Sequence, residues 1–384
     1  MVKKNNVKIL YILPHPIQYQ TPLINYLSAN GIDIIVGYKS NISSKSFYDD
    51  GFQKKIKWGK NILKGHDYFF NKDSNNTFSS IFNQKIIKII LSNKEIKFIW
   101  VHGSKNIFNI LIILISKLLN KKVFLREENT LESKKRNFIN IFLNKFFYFL
   151  INPFIDQYLA IGKKNYKYYV FNNINKKKIR FVPYVVDNNF FSSDNFIKKT
   201  YKEINFLFVG KFHKNKGIRV LLEAFKEISS KNKKILSKIK LTLVGNGILF
   251  NEIKKYILNE KLKFIKLTNF QSQKKLKYIY QKSDILILPS LYEPWGLVIN
   301  EALNAGNAII CSDKVGAAGD LVINNKNGFV FKSNDKKSLI KSITKYLKNE
   351  KMINSHKKRG KQIINKYNFK ICCENIKKIT TKLK

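Results

Sequence analysis

Two glutamates with seven residues between them, Glu293 and Glu301, stand in the segment from Ser283 to Asp313, SDILILPSLYEPWGLVINEALNAGNAIICSD. An apolar run of strand length there delivers Pro289 and Ser290 to a loop, and a helix starts near Gly296. Carboxylates in such a loop can accept hydrogen bonds from ligand hydroxyls. Gly296 permits close backbone approach, and the free amides of Gly296, Leu297 and Val298 at the helix start favour a phosphate. The plain alternative is that Glu293 complements a helix dipole and Glu301 is a solvated helix residue. A second segment, Phe206 to Gly217 (FLFVGKFHKNKG), ends a strand at Gly210 and places Lys211 and Lys216 in a turn before a helix that begins after Gly217. Two ammonium groups there can converge on a diphosphate as point charges, or form a solvated basic turn. A third, Leu241 to Gly247 (LTLVGNG), is a strand followed by a Gly-x-Gly turn at Gly245 and Gly247. It lacks the full dinucleotide fingerprint with its ribose-binding acid.

The elements that must position these residues follow from periodicity. Apolar runs of strand length occur at Val7 to Leu13, Ile32 to Val36, Phe98 to Val101, Val123 to Leu125, Tyr158 to Ile161 and Arg180 to Val182, with helical patterns between them. A second series comprises Ile204 to Val209, Leu241 to Val244, Ile285 to Leu288 and Ala308 to Cys311. Such alternation predicts βα units and parallel sheets, hence an α/β chain of two doubly wound, Rossmann-like domains. After Gly217, Val220, Leu221, Ala224, Phe225 and Ile228 form one apolar helical stripe. The reading divides the chain into a domain over 1–187, a polar linker over 188–200, a second domain over 201–365 and a C-terminal helix over 366–384 that packs back on the first domain. Ligands in such folds bind beyond the carboxyl ends of the strands, so two facing domains imply a central cleft.

Composition bounds the class. The chain has 384 residues, and its 72 Lys plus Arg against 25 Asp plus Glu give a net charge of +47. Only five of the basic residues are arginine, and no local interleaving of aromatic with basic residues occurs, so no nucleic-acid partner is expected. A basic module binding membrane or nucleic acid without catalysis is the non-enzymatic alternative. The Phe-rich stretch Phe138 to Ile155 is expected to be a buried helix beneath a solvated lysine surface. Cys311, Cys372 and Cys373 offer no disulfide framework or metal-ligand spacing, which fits a reducing cytoplasm, and no transmembrane helix is expected.

Taken in this order and spacing, the three segments resemble the C-terminal domain of glycosyltransferase family 4, the retaining nucleotide-sugar enzymes of GT-B fold. In that family a Gly-Arg pair followed by Lys-Gly binds the donor diphosphate. Gly210, Lys211, Lys216 and Gly217 occupy those places, with Lys211 replacing the usual Arg and so keeping charge but losing the bidentate fork. The resemblance implies that Glu293 holds donor sugar hydroxyls and Glu301 the ribose hydroxyls. The Asn324 to Phe331 segment also looks like the family's following Asn-Gly turn. In the N-terminal half, Pro14 to Leu23 (PHPIQYQTPL) replaces the usual Gly-rich loop and resembles a particular subgroup. The region around Trp58 and the pieces WVHG, LREEN and AIGKKNYKYY extend that likeness.

His102 falls where many family members place a histidine near the transferred sugar, which implies a catalytic or supporting role. His15 and Gln18 on the first loop, and Arg126 and Glu127 after another strand, are candidates for acceptor contact; a loop fixed by prolines and an internal ion pair are their plainer readings. The implied activity is retaining, metal-independent transfer from a nucleotide-sugar donor to a glycan or lipid-linked acceptor, in cell-surface polysaccharide or lipopolysaccharide assembly. Its place is the cytoplasm, at the inner face of the plasma membrane if the lysine surface meets anionic lipid. Neither an Asp-x-Asp motif nor His/Cys clustering suggests a bound metal, and no cofactor is expected. A nucleotide-sugar epimerase or hydrolase of the same architecture is the enzymatic alternative.

Overall fold

The computed structural model describes residues 7–44, 46–56, 62–71, 85–132, 137–192, 201–231 and 233–383. Trp58 and most of the expected linker, 193–200, lie outside them. The chain forms two compact units. Unit 1 comprises Met1–Phe47, Ile56–Val186 and Phe369–Lys384, and unit 2 comprises Tyr48–Lys55 and Asp187–Asn368.

Unit 1 is built on seven strands, β1 (Val7–Leu13), β2 (Ile32–Tyr38), β5 (Asp67–Phe70), β6 (Phe98–His102), β7 (Lys122–Arg126), β8 (Gln157–Ala160) and β9 (Ile179–Phe181). Their order is β5-β2-β1-β6-β7-β8-β9, with every pair parallel. Helices α1 (Gln20–Ala29), α2 (Lys85–Ser92), α3 (Ile107–Leu118), α4 (Phe138–Ile151) and α5 (Lys163–Phe171) connect them, and α13 (Phe369–Leu383) completes the unit. The strands carry near-continuous apolar runs because a parallel sheet is covered on both faces. Leu10, Ile12, Ile99, Val101, Val123 and Leu125 form the centre of one core. Asn106 caps α3, its side chain accepting the Phe108 amide at 3.0 Å, and Asn137 caps α4 through the Asn140 amide at 2.8 Å.

Two short strands, β3 (Phe47–Asp49) and β4 (Lys54–Ile56), pair in a separate ribbon. Its tip, Tyr48–Lys55, packs with unit 2 although it lies far upstream of that unit in sequence.

Unit 2 contains β10 (Ile204–Val209), β11 (Ile239–Val244), β12 (Ile265–Thr268), β13 (Ile285–Leu288), β14 (Ala308–Ser312) and β15 (Gly328–Phe331) in the parallel order β12-β11-β10-β13-β14-β15. Its helices are α6 (Asn188–Phe191), α7 (Ile218–Lys231), α8 (Phe250–Asn259), α9 (Gln273–Lys282), α10 (Leu297–Asn304), α11 (Lys336–Lys348) and α12 (Lys351–Ile364). The apolar stripe expected after Gly217 appears as α7, which buries Leu221, Leu222, Phe225 and Ile228 against the sheet. Each such side chain contributes roughly 1.5–3 kcal/mol by burial.

Two expectations are corrected here. Asn188–Phe191 is a short helix rather than linker: Asp187 caps it, Phe191 is buried, and the Asn304 amide donates to the Asn188 side chain at 2.9 Å. The Phe-rich stretch is not buried. Helix α4 buries only Tyr148 and Ile151, and Phe138, Ile139, Phe142, Leu143, Phe146, Phe149 and Leu150 all face outward. No helix among the described residues is long and apolar enough to cross a membrane.

His356 in α12 is buried, with its Nδ1 2.7 Å from the Tyr346 hydroxyl. Burial holds its pKa down at about 4, an effect to which the Arg359 charge adds. The unfolded chain takes up this proton near the ordinary histidine value while the folded chain resists, so acidification favours unfolding. The unfolding temperature should fall as pH drops from about 6.5 toward about 4. His356→Gln should flatten that part of the profile; an unchanged slope in the variant would show that other groups set it.

Candidate functional site

In unit 2 the chain runs from β10 outward through β11 to β12 on one side, then returns to place β13 on the other. Loops leaving β10 and β13 therefore diverge, and in open parallel sheets such a reversal is where ligands bind, beyond the carboxyl ends of the strands. Both informative loops start there. Lys216, after β10, forms an ion pair with Glu293, after β13, and both side chains are largely shielded from solvent. The Glu293 backbone is pinned independently: its amide donates to the Lys314 carbonyl at 3.2 Å and its carbonyl accepts the Gly316 amide at 2.9 Å. Leu291 N–H donates to the Asn215 carbonyl at 2.8 Å, which ties the two loops together.

Glycines let these loops approach. Gly217 has φ +66°, and a Cβ there would stand 2.0 Å from the Pro289 carbonyl oxygen. Gly245 has φ +158°, and its Cβ would meet the Gly210 carbonyl at 1.9 Å. Gly210 itself is open, with Phe208 ring atoms 3.5 Å away as the nearest contact. Gly296, at the start of α10, has a left-handed backbone and no side chain caps the helix, so the first-turn amides, including those of Leu297 and Val298, have no side-chain cap. Gly247 lies beside the Phe212 and Gly51 backbones.

Lys211 has a partner the sequence did not reveal. Its Nζ sits 2.9 and 3.1 Å from the two carboxylate oxygens of Asp49, in the β3–β4 tip, and 4.8 Å from the centre of the Phe52 ring. Phe52 in turn packs edge-on against Phe270, with centroids 4.9 Å apart. Nothing in the sequence links Asp49 to a lysine 162 positions later.

Glu301 differs in setting from its expected role. It is only 1% exposed and accepts the Tyr280 hydroxyl at 2.7 Å. Tyr280 was not identified from sequence.

The candidates of unit 1 form a separate group, also at a sheet reversal, where β1 lies between β2 and β6. His102 ends β6, with Nδ1 3.4 Å from the Tyr11 hydroxyl and Nε2 3.4 Å from Glu128. Burial opposes charge on Glu128, but His102, the Tyr184 hydroxyl and Arg126 together hold its carboxyl below the usual range. Arg126 is fully buried, 4.9 Å from the Trp100 ring centre and 5.2 Å from that of Tyr184, and donates to the Val182 carbonyl at 2.7 Å. Glu127 is 3% exposed and accepts from the Ser104 amide and the Tyr148 hydroxyl. Neither presents a surface: the Glu127 carboxylate is bonded to Ser104 and Tyr148. Arg126 bonds Val182 through one terminal nitrogen and keeps its Nε and other terminal nitrogen buried without a hydrogen-bond partner among the described residues, so direct acceptor contact by either is not seen here. His15 and Gln18 remain partly exposed on the first loop, where His15 Nδ1 lies 2.8 Å from Ser43 Oγ. Among the described residues no group of three or more His, Cys, Asp or Glu side chains could hold a metal ion.

Residues 190–363 match the family model described as Glycosyl transferases group 1. Two uncharacterized glycosyltransferases of Methanocaldococcus jannaschii are similar. One is 25% identical over 234 residues, 61% of this chain and 58% of that protein, and the other 28% over 319 residues, 79% of this chain and 80% of that protein. The N-acetylgalactosamine-N,N'-diacetylbacillosaminyl-diphospho-undecaprenol 4-alpha-N-acetylgalactosaminyltransferase of Campylobacter jejuni is 25% identical across 59% of this chain and 60% of its own length. Among solved structures, a glycosyltransferase from Rickettsia africae superposes with TM-score 0.75 at 17% identity over 99% of both chains. Anabaena HepE in complex with UDP and glucose gives 0.72 at 14%, over 98% of this chain and 100% of that one. The fold is GT-B, and the likeness over residues 190–363 is to the Glycosyl transferases group 1 family.

The glycine geometry makes a contrast that can be measured. Gly245→Ala should destabilise the protein by about 2 kcal/mol or more, because its Cβ collides with backbone, whereas Gly210→Ala should change stability by less than about 0.5 kcal/mol. Equal denaturation midpoints for the two variants would contradict the close packing of the two loops.

Proposed function

We propose that the chain is a retaining glycosyltransferase of family 4 type that moves a sugar from a nucleotide-sugar donor to a hydroxyl of a glycan or lipid-linked acceptor. The observation that carries this reading is the Lys216–Glu293 pair across the sheet reversal of unit 2, flanked by glycines and by a helix start without a side-chain cap. A likeness to a UDP-bound structure and to a transferase named for a diphospho-undecaprenol acceptor supports the substrate classes.

In the reaction the bond between the anomeric carbon and the diphosphate oxygen breaks, and a bond from that carbon to the acceptor oxygen forms. The acceptor attacks from the face the diphosphate leaves, and its proton passes to the departing diphosphate. Lys211, Lys216 and the amides of Gly296, Leu297 and Val298 meet charge as it grows on the leaving group, so they act more strongly in the transition state than on bound donor. No metal enters this scheme. Gly210, Gly217, Gly245 and Gly247 shape the loops around the diphosphate. Glu293, held by Lys216, orients the donor sugar, and Glu301, by the family resemblance, takes the ribose hydroxyls. By the family resemblance His102 serves the transferred sugar, with His15 and Gln18 on the acceptor side. Transfer takes place in cell-surface polysaccharide or lipopolysaccharide assembly on the cytoplasmic side of the membrane.

A thermal-shift screen of UDP-, GDP-, ADP- and CMP-sugars should find one donor that stabilises the fold by roughly 2.7 kcal/mol at a hundred times its dissociation constant. With that donor, Lys216→Ala and Glu293→Ala should each lower turnover on the order of a hundredfold or more, and a chelator should leave turnover unchanged. Wild-type turnover in both variants would refute the assignment, and sugar released or epimerised without acceptor would favour a hydrolase or epimerase. Asp49 competes for Lys211, so Asp49→Ala should tighten nucleoside diphosphate binding about two- to fivefold at low salt in calorimetric titration. Weaker binding in that variant would mean instead that Asp49 holds Lys211 in place.

A further inference from the structure

Of the large hydrophobic side chains that stand exposed among the described residues, seven fall on α4 alone. At 3.6 residues per turn, Phe138, Phe142, Phe146 and Phe149 form one stripe with Leu143 and Leu150 beside it, an apolar face of about 140° of arc. Its opposite face is anchored: Tyr148 and Ile151 are buried, and the Asn144 amide donates to Asn172 at 2.6 Å and to the Tyr168 hydroxyl at 3.1 Å. The orientation of α4 is therefore fixed by unit 1, and the apolar face is what unit 1 leaves uncovered. Contiguous exposed apolar area of this kind marks an interaction surface.

We propose that this face docks in the interfacial layer of an anionic lipid bilayer. The helix contains no Asp or Glu. Two lysines supply cations: Lys105 donates to Asn144 and lies 5.9 Å from the Phe147 ring centre, and Lys145 within the helix lies 4.9 Å from that of Phe171. Aromatic rings thus hold both ammonium groups beside the helix, so the flank of the apolar face carries positive charge. Charge decides between a bilayer and a second copy of the chain, because two molecules of +47 repel whereas an anionic leaflet attracts each of them. Length decides the mode. The 14 residues of α4 reach about 21 Å against a hydrocarbon core of about 30 Å, so the helix lies in the plane of the interface and does not span it.

The test uses the full chain and needs no catalysis, so its failure leaves the transferase reading intact. Co-sedimentation with phosphatidylglycerol vesicles at low salt is compared with phosphatidylcholine vesicles, with about 0.5 M salt, and with the double variant Phe142→Ser/Phe146→Ser, while sedimentation velocity reports oligomeric state without lipid. The proposal predicts pelleting with phosphatidylglycerol, weakened about tenfold or more by each of the three changes, and an unfolding temperature in the variant equal to wild type. No pelleting of wild type overturns it, as does a folded variant that pellets like wild type. A lipid-free dimer that the double variant converts to monomer also overturns it, by assigning the face to a second copy.

Discussion

The reversal of strand order at β10 and β13 is the constraint on which the unit 2 site depends. A parallel sheet whose connections all run one way would carry its loops past one another, whereas here the loops after β10 and β13 separate and leave their ends open. The Lys216–Glu293 pair bridges that opening. Two opposite charges set in largely shielded positions depend on each other, because either alone would be left poorly solvated. The supports converge on the pair: Gly217 lies against Pro289, Asn215 bonds Leu291, and the 314–316 loop holds the Glu293 backbone.

Unit 1 repeats the architecture and fills it differently. At its own reversal the residues are His102, Tyr11 and Glu128, backed by Arg126 between Trp100 and Tyr184. Arg126 supplies a buried positive charge that helps keep Glu128 ionised, and Glu128 lies within reach of His102. A buried arginine thus acts on the end of β6 through its neighbours, where the sequence suggested direct contact. The α4 face belongs to the same unit but to a different physics, that of apolar area with no protein to cover it.

Much of the fold was legible in the sequence, for reasons that can be named. Strands buried on both faces must be continuously apolar, so β1, β10 and β13 could be read to the residue. Edge strands such as β5, β12 and β15 escaped because each is only four residues long and carries a charged residue or glycine, Asp67, Lys266 or Gly328. The Glu293 and Lys216 loops stood out because their glycines and charges sit at strand ends. What composition alone could not show was long-range partnership: the Asp49–Lys211 contact joins positions with no common pattern, and Tyr280 reaches Glu301 from another helix. Helix α4 misled because so Phe-rich a helix normally signals burial, and only the placement of Asn144, Tyr148 and Ile151 reveals which side the core takes.

The central claim is a division of labour within one ion pair, with Lys216 on the diphosphate and Glu293 on the sugar. It is tested most directly by calorimetric binding of a nucleoside diphosphate and of its sugar-bearing form to wild type, Lys216→Ala, Glu293→Ala and the double variant. The account predicts that Lys216→Ala weakens both ligands by about tenfold or more, while Glu293→Ala weakens the sugar-bearing ligand more than the bare diphosphate. Equal affinity of all four proteins for both ligands would contradict it.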